Sequence, residues 1–165
     1  MISESERERL AHLVAIVQRE VAALEVSDRA LFANLEWLSE FWALTAESPL
    51  TERIDAFLLR FARLQDTLGD KLLPAVLRLL AEPPRAMRDR LDFAERMGWV
   101  ASSDEWLVLR ELRNRMVHEY LLEPQAAVEA LLAAHRFVPA LIATANALIE
   151  EVSRRGWLPS HHPPI

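Results

Sequence analysis

Ser102-Ser103-Asp104-Glu105-Trp106-Leu107-Val108-Leu109-Arg110-Glu111-Leu112-Arg113-Asn114-Arg115-Met116-Val117-His118-Glu119-Tyr120 is the stretch that decides the fold. Ser102 followed by Glu105 makes a capping box, a pattern that closes the free amides at a helix start. Leu109, Leu112, Met116 and Tyr120 then recur at helical spacing, which predicts one buried stripe. Glu111, Asn114, Arg115 and His118 fall on the opposite, polar face, and Arg113 sits at the edge of the stripe. Leu121-Leu122-Glu123-Pro124 ends the helix, and Pro124 suits the first turn of the next one.

The same reading extends outward to six helical segments. Ser5 with Glu8 opens a first helix carrying Leu10, Leu13, Val14, Val17, Val21 and Leu24. Ser27 is placed as the cap of a second, with Leu31, Leu35, Leu38 and Trp42. After Ser48-Pro49 a long third segment carries Ile54, Phe57, Phe61, Leu64 and Leu68. Gly69 weakens it, and Pro74 is expected to kink or end it, because proline lacks the amide proton and crowds the preceding turn. Pro83-Pro84 punctuates the chain. A fourth helix follows with Met87, Leu91, Ala94 and Met97, and Gly98 suits its C-terminal cap. The last helix runs from Pro124 through Ala126, Ala130, Ala134 and Leu141 to about Arg155. The expectation is an all-α antiparallel bundle of about five to six helices. It forms a single domain over residues 1–158, with 1–25 as an added N-terminal helix and 159–165 as a flexible tail.

Composition agrees with this reading. The chain has 165 residues, enough for one domain with a good core. With 52% apolar residues and 3 glycines, it favours ordered helix. The formal net charge of −6 excludes a general electrostatic affinity for nucleic acid, so any such contact is local. There is no cysteine, hence no disulfide and no thiolate metal site. The first nine residues are too charged and acidic for a secretory signal. Without an apolar run near the length of a membrane span, the expectation is a cytoplasmic protein with no membrane contact.

Arg113-Asn114-Arg115-Met116-Val117-His118-Glu119-Tyr120 carries the chemistry. An arginine holds phosphate as a planar, permanently charged fork, and a histidine moves protons near neutral pH. Together they are a minimal set for cutting RNA without a metal. Glu111 and Arg115, four residues apart, read as a solvated pair. Arg113 has Leu109 and Val117 at those offsets and no carboxylate on its own helix. On an ideal helix Arg113 and His118 project about 140° apart. One pocket therefore needs either a deformed helix or a groove shared by two copies of the chain. His12 and His135 lack metal-ligand neighbours, and His161 and His162 lie in the tail. No zinc, calcium or phosphate-loop pattern occurs, so no metal or cofactor is expected.

The arginine, the histidine five residues on and the tyrosine two beyond it, on a helix of a small cysteine-free protein, resemble the HEPN superfamily. Within it they are most similar to the HepT-like ribonuclease toxins of HepT/MntA toxin–antitoxin systems. Arg60-Phe61-Ala62-Arg63-Leu64-Gln65-Asp66-Thr67-Leu68-Gly69 also resembles their long earlier helix, and puts Asp66 near the cleft. The resemblance implies a homodimer with a composite cleft. Arg113 would polarise the scissile phosphate. His118 would act as base on the ribose 2′-hydroxyl or as acid on the leaving 5′-oxygen, and Asn114 would orient substrate or His118. It further implies an MntA-like minimal nucleotidyltransferase partner that silences the toxin by transferring AMP to Tyr120. The alternative within the same resemblance is a non-catalytic substrate-binding partner of a small nucleotidyltransferase.

Overall fold

The computed structural model describes residues 1–83, 85–119, 122 and 123–160, with the side chains of 117–119 left out of the description. The described residues form an all-α helical bundle without a strand. Its elements are α1 (Glu4–Phe32), α2 (Pro49–Asp66), α3 (Leu73–Leu79), α4 (Met87–Arg96), α5 (Ser103–Glu119) and α6 (Pro124–Arg154).

The cap of α1 is Ser3, two residues before the expected Ser5. Ser3 accepts the Glu6 amide at 3.3 Å, and the Glu6 carboxylate accepts the Ser3 amide at 2.8 Å. The helix then passes straight through Ser27, so two expected helices are one. Ser27 is buried inside α1 and its hydroxyl takes a hydrogen bond from Arg60 Nη1 at 2.7 Å. The same Nη1 donates to the Ala23 carbonyl at 3.2 Å. The segment expected to continue as a helix is instead two 3-10 turns, Glu36–Ser39 and Phe41–Ala43. Trp37 and Phe41 are their buried residues, and Leu35 and Trp42 are exposed.

α2 does not end at Pro74. A π turn, Thr67–Leu72, joins it to α3 without a break. Leu73 donates its amide to the Leu68 carbonyl, skipping Gly69. In that register the Gly69 carbonyl faces residue 74, a proline with no N–H to give. Arg90 on α4 supplies the missing donor, its Nη2 lying 3.4 Å from the Gly69 oxygen. The π turn thus absorbs the proline, and a neighbouring helix satisfies the carbonyl it frees.

Cross-helix contacts fix the directions. Along α1, Glu20 meets Thr67 and Ser27 meets Arg60, so α1 runs antiparallel to α2 and α3. Asp28 meets His135 at 2.7 Å, and Arg7 donates to the Gly156 carbonyl, so α6 also runs antiparallel to α1. α1 belongs to the same hydrophobic core as the other helices, through Leu10, Val17, Leu24 and Leu31. Phe57, Phe61, Trp106 and Phe137 form a chain of ring contacts, about 6 Å apart between centroids, at the centre. The caps of the later helices follow the sequence. Gly98 has φ +76°, and the Ser102 hydroxyl accepts the Glu105 amide at 3.1 Å. Met97, expected on the inner face of α4, is exposed because the helix has already ended at Arg96.

The expectation that nothing approaches a membrane span needs correction. By length and composition α6 is able to cross a membrane, with a mean hydropathy of 1.5 over 18 residues. Its apolar residues extend beyond one stripe. Leu131, Phe137, Leu141 and Leu148 are nevertheless buried in the bundle. Residues 161–165 of the expected tail lie outside the described residues.

Gly69 has an ordinary negative φ, and a Cβ there would meet Trp106 and Met87 at 3.5–3.6 Å, normal contact distances. Replacing it removes unfolded-state freedom without a clash. Gly69→Ala is therefore expected to stabilise the fold by about 0.5–1 kcal/mol, read as a raised urea midpoint.

Candidate functional site

α5 buries Trp106, Leu109 and Met116, and Leu112 is half-buried, as the spacing predicted. Trp106 extends that stripe one turn toward the N-terminus. Glu111, Asn114 and Arg115 are exposed on the other side. Arg113 is the departure, because its charged side chain is only 6% exposed. A guanidinium so placed needs counter-charge and acceptors.

Both come from α2. Arg113 Nε donates to Gln65 Oε1 at 2.8 Å. Its Nη1 lies 3.4 Å from Asp66 Oδ2, and its Nη2 donates to Asp66 Oδ1. This is a bidentate fork on a carboxylate, with a third bond from Nε. The lack of a partner on its own helix is thus made good by the neighbouring helix. Gln65 is itself buried and uses the other end of its amide, Nε2, to donate to the Trp106 carbonyl at 3.0 Å. Of five guanidinium N–H groups, three are engaged and two remain among the described residues. The Asp66 side chain is 45% exposed, so the pair reaches the surface on the Asp66 side.

Arg110 joins the same cluster. Its Nε lies 4.0 Å from Asp66 Oδ1 and is buried without a hydrogen-bond partner among the described residues. Two arginines therefore share one carboxylate, which leaves a local positive excess in an acidic chain. Glu20 on α1 approaches the cluster from the other side, accepting the Thr67 hydroxyl at 3.0 Å. Burial pushes its carboxyl above the ordinary glutamate range, against the opposing pull of the Thr67 hydrogen bond, Lys71 and Arg63. Its second oxygen is buried without a hydrogen-bond partner among the described residues.

Of the expected site residues, the structure brings Arg113 and Asp66 into direct contact. Asn114 lies on the exposed face of the same helix. His118 is within α5, with its side chain outside the described residues, and Tyr120 lies outside them altogether. Arg115 lines a cavity of about 230 Å³ between α5 and α6, with Met116, Glu123 and Ala127. Sequence reasoning missed Gln65. The available signal was a polar residue four positions after Phe61 on an otherwise apolar stripe. No family model, no curated protein and no solved structure matches the chain.

Removing Asp66 strands a buried cation, whereas removing a surface ion pair costs little. Asp66→Ala is expected to lower stability by roughly 2 kcal/mol in urea titration, discounted for the exposed side of the pair. Glu20 gives a pH signature. Its raised folded pKa favours the protonated form, so its stabilising contribution is lost as pH rises through that pKa. Glu20→Gln should then be more stable than wild type at pH 7, with the gain shrinking toward pH 4.

Proposed function

We propose that the chain is a metal-independent endoribonuclease toxin of the HepT-like kind, acting as a homodimer in the cytoplasm. The observation that carries this reading is the orientation of Arg113. Gln65 and Asp66 fix its guanidinium five residues before His118 on one helix, with two N–H groups unengaged among the described residues and available to a phosphate. The cytoplasmic reading is supported by the burial of Leu131, Phe137 and Leu141 of α6 inside the bundle.

In this mechanism Arg113 draws the scissile phosphodiester into place and offsets charge on its non-bridging oxygens. An imidazole with a pKa of about 6.5 suits proton transfer in either direction. His118 of one copy takes the 2′-hydroxyl proton. The 2′-oxygen attacks phosphorus, the bond to the 5′-oxygen breaks, and a proton from the other copy's histidine caps the leaving alcohol. The products are a 2′,3′-cyclic phosphate and a 5′-hydroxyl end. DNA lacks the nucleophile and resists. Asn114, exposed one residue after Arg113, orients the substrate or His118. Transfer of AMP to Tyr120 by an MntA-like minimal nucleotidyltransferase would set a bulky anion beside Arg113 and silence the site.

One observation favours a second reading, a non-catalytic binding partner of such a nucleotidyltransferase. Arg113 already has its counter-charge and little exposure, so a phosphate meets a largely neutralised fork. It also makes Arg113→Ala a poor test, since that change disturbs folding and chemistry together.

The deciding measurement is cleavage of RNA in EDTA by wild type and His118→Ala, with intact mass recorded for both. The expected result is RNA cut and DNA spared by unmodified wild type, with a loss of about 10²-fold or more in the variant. Unmodified wild type that leaves RNA intact overturns the ribonuclease reading in favour of the binding partner. An inert wild type carrying added AMP, with activity regained on its removal, supports the silenced toxin.

A further inference from the structure

A second basic site lies where α1 crosses the π turn and α3. A cavity of about 310 Å³ opens there, lined by Arg9 and His12 on one wall and by Lys71 and Arg78 on the other. Leu10, Leu13, Ala75 and Leu79 form its floor. Carboxylates outnumber lysine and arginine by 25 to 19 in this chain, and seven arginines make ion pairs among the described residues. Arg9, Lys71 and Arg78 are nevertheless exposed and make no ion pair among the described residues. Glu6 also lines the cavity, but its carboxylate is committed to the Ser3 amide and hydroxyl at 2.8 and 2.7 Å. Those bonds hold it below the usual carboxylate range, with smaller help from Arg78 and Arg9. Within the lining, three fixed positive charges therefore face one spoken-for carboxylate, while Lys71 also acts on Glu20 of α1 outside it.

We propose that this cavity binds a small organic phosphate, with the phosphate between Arg9, Lys71 and Arg78 and an apolar or flat body on Leu10, Leu13 and Leu79. Cations on both walls suit a group that presents three acceptor oxygens in different directions. A carboxylate offers two in one plane. The volume matches the lower end of small-molecule sites, the size of a nucleoside monophosphate rather than a polymer segment. Guanidinium groups favour phosphate by their bidentate geometry, and the half-exposed Leu13 and Leu79 supply burial for the remainder of the ligand. The inference is independent of the ribonuclease reading, because it uses none of Arg113, Asp66 or His118.

The test is calorimetric titration of the full chain at low salt with AMP, inorganic phosphate, octanoate and a short single-stranded RNA. The proteins are wild type, the double variant Arg9→Ala/Arg78→Ala, Leu13→Ala and the control Arg53→Ala. All four altered side chains lie at least partly at the surface, and circular dichroism and urea titration check that each variant is folded. The expected result is AMP binding that falls at least tenfold in the double variant and stays unchanged in Arg53→Ala. Leu13→Ala should weaken AMP severalfold while leaving inorganic phosphate unaffected. The proposal is overturned by no AMP binding to wild type, by equal binding to the folded double variant, by octanoate binding as tightly as AMP, or by affinity for the RNA alone.

Discussion

The Gln65–Arg113–Asp66 junction is the interaction on which the arrangement of the bundle depends. A buried amide and a buried guanidinium are each costly alone, because unmet polar atoms in an apolar interior lose water without compensation. Here each satisfies the other. Gln65 spends its carbonyl on Arg113 and its amide on the Trp106 backbone, while Arg113 spends its remaining fork on Asp66. Residues 106 and 113 are two helical turns apart on α5. Arg113 reaches back toward the N-terminus of its helix, as helical side chains do, and so meets the same glutamine as the Trp106 carbonyl. Sliding α5 along α2 by one turn would break both contacts with Gln65 together. A purely apolar interface carries no such penalty for slippage, so the polar junction defines the register.

The π turn after Asp66 belongs to the same constraint. It lies immediately beyond the Gln65–Asp66 pair, where Trp106 of α5 and Met87 near the start of α4 both approach Gly69. A larger residue is sterically admissible there, so the glycine is not what makes the turn. The proline five residues later is the better cause, since in an α register its ring would crowd the Asp70 carbonyl, which would find no amide at residue 74. Arg90 answers the Gly69 carbonyl from α4, and the same arginine donates to the Arg85 carbonyl at 2.7 Å and lies 3.8 Å from Asp70. One long side chain therefore closes the connection between α3 and α4 and repairs the defect in the long helix. α4 is positioned by backbone chemistry at the π turn as well as by its apolar residues Leu91 and Ala94.

What the sequence made legible follows from the range of each interaction. Helical period, the Ser102 cap, Gly98 and Pro124 are local signals, and each marks an element end within a residue or two. Ser27 misled because its hydroxyl has two uses. In isolation it reads as a cap, but Arg60, thirty-three residues away, takes it into the interior of a continuous helix. At Pro74 the reading left a kink or an end open, and the donor that lets the helix continue past a π turn comes from residue 90. At the site, the i, i+4 rule reports only partners on one helix. It left Arg113 without a carboxylate, whereas Asp66 lies forty-seven residues back. The structure joins Asp66 to Arg113 by hydrogen bonds, while a place for Asp66 near a cleft rests on the resemblance alone. His118 and Tyr120 carry the functional reading through sequence alone.

The acidic balance of the chain bears less on anion recognition than the net charge suggests. Surface charges more than about 10 Å apart are largely screened at ordinary ionic strength, while groups in contact inside a partly buried site are not. What an incoming phosphate senses is the immediate set of donors and their competing carboxylates. At Arg113 and Arg110 the competitor, Asp66, is inside the set and bonded to the fork. There the protein trades attraction for a fixed orientation. At Arg9 and Arg78 the neighbouring carboxylate, Glu6, is drawn off into a helix cap, and with Lys71 they make no ion pair among the described residues. The first arrangement suits a group that must be aimed at one bond. The second suits a group that must only be held. Both arise in a chain whose total charge is −6, because each is decided by which side chain the nearest acid has already bonded.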